Sequence, residues 1–115
     1  MRLDITFRNT EPSEALRTRA EKKFRKVCKH MNEPIEGHLV LKVERHRNSA
    51  ELTVHGGRDQ SFRVHEVTED MYATLDGLMH KLERAVRRSR EKRIDRHHSG
   101  EGLSSLEPLP TTDES

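Results

Sequence analysis

A chain of 115 residues and 13.4 kDa has room for one domain, and two would each be undersized. Charged residues make up 37% against 30% hydrophobic, and Leu, Ile, Val and Phe supply only 24 residues, about 21% of the chain, close to the composition at which chains stop folding. The longest apolar run covers residues 39–41, Asp4 and Arg8 interrupt the start, and Cys28 is the lone cysteine. A helical membrane span, a secretory signal and an internal disulfide are therefore not expected, and a soluble protein of a reducing cytoplasm is.

Leu3, Ile5 and Phe7 alternate with Asp4, Thr6 and Arg8, which predicts a half-buried strand over residues 2–8. Ser13 follows Pro12 and precedes Glu14, a helix-capping arrangement. Leu16, Ala20, Phe24, Val27, Cys28 and Met31 then recur at spacings of three and four, predicting helix one over 14–31. Pro34 and Gly37 mark residues 32–37 as a loop, after which Leu39, Leu41 and Val43 alternate with His38, Val40, Lys42 and Glu44 in a strand that ends near Arg45. Ala50, Leu52 and Val54 alternate with Glu51, Thr53 and His55 in a third strand. Gly56 and Gly57 are expected to supply the positive φ angles of a hairpin turn before a fourth strand through Phe62 and Val64.

From Thr68 onward Met71, Leu75, Leu78, Met79, Leu82, Ala85 and Val86 form a stripe of helical period, with Glu69 and Asp70 at its start. That stripe ends at Val86 while the helical pattern of charges continues, so the last turns should project from the body. Beyond His98 the chain is Ser-, Gly-, Pro- and Thr-containing, with four acids and no base, which predicts a disordered acidic tail over 98–115 after a domain of 1–97. The expected fold is a two-layer α/β (α+β) sandwich of order β-α-β-β-β-α. Both helices lie on one face of a four-stranded mixed sheet whose other face is polar, and the crossover through helix one makes strands one and two parallel.

Net charge is only +2, but it is unevenly distributed. Residues 16–29 carry seven Lys/Arg against Glu21, and residues 81–96 carry eight against Glu83, Glu91 and Asp95; these windows are +6 and +5, leaving −9 for the rest. On a helical wheel Lys22, Arg25, Lys26 and Lys29 lie opposite the apolar stripe of helix one, with Arg17 and Lys23 on its flanks. Lys81, Arg84, Arg87 and Arg88 turn away from the stripe of helix two. A basic helix face is usually no more than a solvated surface, yet such surfaces mix signs through Glu to Lys pairs, and these windows do not. Adjacent helices would merge the charges into one surface suited to phosphate backbones. Structured RNA is favoured over duplex DNA, because no recognition helix with base-reading Asn or Gln is evident.

Other chemistry finds little support. Cys28 lies on the apolar stripe, as a packed thiol would. His55-Gly56-Gly57 lacks the Lys-Ser/Thr of a phosphate loop, and the eight histidines are dispersed, with His38, His55 and His65 on the polar strand face. Phe7 and Phe62 point inward with the core. No catalytic group, metal site, cofactor or small-molecule substrate is therefore expected.

Leu39-Val-Leu-Lys-Val-Glu44, His55-Gly-Gly57, Glu69-Asp-Met-Tyr-Ala73, Leu75-Asp-Gly-Leu78 and Lys81-Leu-Glu-Arg84 resemble the short ribosome hibernation factors, also called ribosome-associated inhibitors or sigma-modulation proteins. The resemblance covers about residues 1–96. It implies the fold just described, close to that of a double-stranded RNA-binding domain, in a monomeric bacterial protein without catalytic activity. It further implies binding through rRNA to the small ribosomal subunit and the assembled ribosome, in the channel of messenger RNA and tRNA, silencing idle ribosomes in stress or stationary phase. The family's rRNA-contacting cations match Lys23, Lys26, Lys29, Lys81, Arg84 and Arg88 here; Lys22, Arg25 and Arg87 join them from the helical wheel alone. Longer members append a dimerising domain, for which the residues after His98 are too few. A general double-stranded RNA-binding module remains the alternative, although Glu69 and Asp70 stand where that module carries its basic cluster. An enzyme or a protein-only regulator such as a sigma-factor partner is the third.

Overall fold

The computed structural model describes residues 1–99. The elements are β1 (Arg2–Arg8), α1 (Glu14–Val27), a 3-10 turn (Cys28–His30), β2 (Glu36–Glu44), β3 (Arg47–His55), β4 (Ser61–Thr68) and α2 (Met71–Ser99). The sheet order is β1-β2-β3-β4, with β1 parallel to β2 and both later pairings antiparallel. This is the expected α+β sandwich. Its register aligns Ile5, Leu39, Leu52 and Val64 in one row across all four strands. Against that inner face pack Leu16, Ala20 and Phe24 of α1 and Leu75, Leu78 and Leu82 of α2, all in one buried cluster. A chain poor in large apolar residues folds because it concentrates them here, where each fully buried Leu, Val, Ile or Phe contributes about 1.5–3 kcal/mol. Among the described residues no helix is long and apolar enough to cross a membrane.

Several boundaries depart from the expectation for tertiary reasons. The α-helix stops at Val27, and Cys28 to His30 tighten into a 3-10 turn that closes with the Met31 amide donating to the Cys28 carbonyl at 3.0 Å. Met31 is buried all the same, from an extended backbone at the head of the descent to the sheet. Residues 36 and 37 belong to β2 rather than to a loop, because Arg2 and Leu3 pair with Glu36 and Gly37 in the parallel ladder. Gly37 faces inward beneath Phe24, where a Cβ would meet the ring at 2.7 Å. β3 begins three residues before Ala50, across a two-residue turn in which Arg45 has φ 51°.

Gly56 and Gly57 do not carry the positive φ of the next turn; Arg58 and Asp59 do, at 57° and 59°. The glycines instead let the turn dock on residues 31–33. A Cβ on Gly56 would sit 2.9 Å from the Met31 methyl, and one on Gly57 would strike the Glu33 carbonyl. The docking is completed by the Gly57 amide donating to the Asn32 carbonyl at 2.7 Å and the Asn32 amide donating to Gln60 Oε1 at 2.8 Å.

Thr68 closes β4 rather than opening helix two. Asp70 caps α2, its carboxylate accepting from the Ala73 amide at 3.0 Å, and the Thr68 hydroxyl lies 2.7 Å from that of buried Thr74, which ties the strand end to the first turn. At the other helix Ser13 Oγ accepts from the Leu16 amide at 3.2 Å, as expected. Between residues 71 and 92 the last buried position of α2 is Val86, and the helix continues through Ser99. The expected tail otherwise lies outside the described residues.

Candidate nucleic-acid interface

The helices lie side by side over the sheet, and their capped starts and inward stripes determine which cations turn outward. On α1 and the following turn, Lys22, Arg25 and Lys29 are exposed on the outer side, while Lys23 and Lys26 border α2. With Val27, Asp76, Met79, His80 and Glu83 they line an open groove of about 260 Å³ between the helices. On α2, Arg84, Arg87 and Arg88 are exposed, and Arg87 reaches Glu83 one turn back at 3.6 Å. Such an exposed i,i+4 pair is worth little and yields readily to a competing phosphate.

Lys81 is placed differently. Its side chain keeps only 14% exposure, pairs with Glu66 at 3.1 Å and donates to the His65 carbonyl at 3.0 Å. Glu66 is aligned with Ala50, Leu41 and Phe7, so this carboxylate stands on the core-facing row of the sheet and Lys81 neutralises it. Gly77 leaves the space, since a Cβ there would approach Glu66 Oε2 at 2.5 Å. The signal was present in the sequence: Glu66 continues the inward alternation of Phe62 and Val64, where an acid needs a partner.

The wheel also passed over Arg19, Tyr72 and Asp76. Arg19 donates through Nε and an Nη to both carboxylate oxygens of Asp76, each at 3.1 Å, and Lys23 adds a 3.6 Å contact to the same carboxylate. The Arg19 hydrogen bond, more than the nearby Lys23 charge, holds the Asp76 carboxyl below the usual carboxylate range despite partial desolvation. The Arg19 guanidinium lies over the Tyr72 ring, 5.3 Å from its centroid. These residues are 57 positions apart in the Arg19–Asp76 case, so no local pattern announces them.

Asp70 at the start of α2 is spent on capping, and among the described residues no three His, Cys, Asp or Glu side chains converge as metal ligands. Cys28 is buried, and burial, assisted by the Glu33 charge, pushes its thiol up to about 12, which leaves it without nucleophilic character at neutral pH. His38, His55 and His65 are exposed on the open sheet face. What the helical side offers chemically is an array of cations around a groove, able to hold a polyanion.

Residues 3–94 match the family described as sigma 54 modulation protein / S30EA ribosomal protein. The chain is 38% identical over 96 residues to the ribosome hibernation promoting factor of Escherichia coli K12, a span covering 80% of this chain and 96% of that one. Among solved structures it is similar to a ribosomal subunit interface protein of Coxiella burnetii, with a TM-score of 0.68 and 25% identity over 79% of this chain and 99% of that one. It is similar also to the N-terminal domain of Protein Y of Thermus thermophilus, with a TM-score of 0.66 and 30% identity over 76% and 93%.

Proposed function

The chain belongs to the sigma 54 modulation protein / S30EA ribosomal protein family, and from that premise we propose that it is a ribosome hibernation factor acting without chemistry. It binds the small ribosomal subunit through rRNA, fills the channel of messenger RNA and tRNA, and keeps idle ribosomes of the cytoplasm inactive in stress or stationary phase. Free in solution it is a monomer. The observation that carries this function is the merging of two basic helices into one cationic side of a sheet whose opposite face carries mixed charges. Lys22, Lys23, Arg25, Lys26, Lys29, Arg84, Arg87 and Arg88 hold phosphates; Lys81, committed to Glu66, supports the helix that presents them.

Co-sedimentation with small subunits, set beside binding to a generic RNA duplex, tests the proposal. The protein should follow the subunit in preference to the duplex. With about six to ten phosphates contacted, affinity should fall about 10³- to 10⁵-fold between about 50 and 200 mM salt. Lys26→Glu combined with Arg84→Glu should abolish sedimentation at an unchanged melting temperature, since both side chains are exposed. A folded double variant that still sediments would remove the site assignment.

A further inference from the structure

Tyr72 is the one tyrosine of a chain without tryptophan. Among the described residues it and Met1 are the large hydrophobic side chains left exposed, Tyr72 at 40%. The fold does not need the ring there: the stripe of α2 packs the sheet without it, and Arg19 with Asp76 joins the helices through a bidentate ion pair. Yet the ring is prepared for a partner. The Arg19 guanidinium lies over it, 5.3 Å from the centroid, and the two 3.1 Å bonds to Asp76 hold that guanidinium in place, so a cation is already paired with the ring before anything binds. Lys23 and Lys26 continue from this pair along the interhelical groove.

We propose that the Arg19–Tyr72 pair is a docking platform for an unpaired RNA base, with Lys23 and Lys26 holding the neighbouring phosphates. Unpaired bases are recognised by stacking on aromatic rings and guanidinium planes, an interaction tolerant of base identity and closed to bases inside a duplex. The inference rests on the RNA-binding part of the proposed function and adds what lysines and arginines directed at phosphates do not supply, discrimination between unpaired nucleotides and a continuous helix.

The emission of Tyr72 reports on the platform directly, because no other tyrosine or tryptophan contributes. An oligoadenylate of about ten nucleotides should quench it, and an abasic ribose-phosphate chain of the same length should not. Tyr72→Ala should weaken oligoadenylate binding by about five- to a hundredfold, Tyr72→Phe should retain it, and neither should alter binding of the abasic chain. The same variants on small subunits stripped of messenger identify the source: a Tyr72→Ala defect there assigns the base to rRNA, and a defect confined to the oligonucleotide assigns it to messenger RNA. Equal quenching by the abasic chain overturns the proposal. So does a Tyr72→Ala protein that binds oligoadenylate and stripped subunits as tightly as the unaltered chain. The charge-reversal variant is scored on subunit sedimentation and the Arg19–Tyr72 pair on tyrosine emission, so either inference fails without the other.

Discussion

Lys81 and Arg84 stand three positions apart on α2 and carry the same charge, yet their environments give them different work. Lys81 neutralises a carboxylate on the core-facing row of the sheet, whereas Arg84 is exposed. Lys81→Met should therefore cost about 1–3 kcal/mol by leaving Glu66 without its partner, and Arg84→Met should change stability by no more than about 0.5 kcal/mol. Urea unfolding midpoints measure the difference, and equal midpoints would return Lys81 to the set of phosphate contacts. Cys28 makes a second residue-scale case. Its folded thiol is raised to about 12, so it stays protonated where an unfolded thiol ionises. The stabilising contribution of the neutral thiol is complete below about pH 8.5 and is lost as pH rises from there toward 12. Native labelling by thiol reagents should be slow at neutral pH, and Cys28→Ala should lose at most a few kcal/mol while removing that part of the alkaline instability and leaving ribosome binding unaltered.

At the scale of elements, the two helices are fastened to each other as well as to the sheet. The Arg19–Asp76 pair joins them on the outer side, and its carboxyl is held below the ordinary range chiefly by that hydrogen bond. A depressed carboxyl contributes stability above its unfolded value, near pH 3.9, and the contribution is lost as pH falls through the lower folded value. An NMR titration of Asp76 should find that depressed value and find it moved back toward the ordinary range in Arg19→Gln. A carboxyl that titrates normally in the unaltered protein would mean that the clasp is absent in solution. The helix ends follow the same rule of local cause and distant consequence. α1 tightens into a 3-10 turn where the chain must descend to β2, and the β3–β4 turn then packs against that descent through Gly57.

For the molecule as a whole, the fold is a wedge 49 Å in its longest dimension, with cations exposed along its helical side. If that wedge silences ribosomes by occupancy, inhibition has to be stoichiometric and reversible. A translation assay should reach its plateau near one protein per ribosome, and excess messenger RNA with initiator tRNA should relieve it by mass action. Inhibition of all ribosomes by a small fraction of that amount, or cut rRNA on washed ribosomes, would contradict occupancy and point to an enzyme.

The element order, the inward apolar residues of every strand and the outward cations of both helices other than Lys81 were legible in the sequence, because one-sided burial imposes period two on strands and period 3.6 on helices. The family resemblance was legible for a related reason, since it resides in contiguous segments such as residues 69–73. What the sequence left open all involves two elements at once. Gly37 lies beneath Phe24 because a parallel ladder carries β2 under α1, and Lys81 turns to Glu66 because α2 crosses β4 at that height. Arg19 lies over the Tyr72 ring because the two helices lie side by side. Periodicity records which side of its own element a residue occupies; only packing decides which residue of another element it meets there, and so which cations are committed to the fold and which remain exposed.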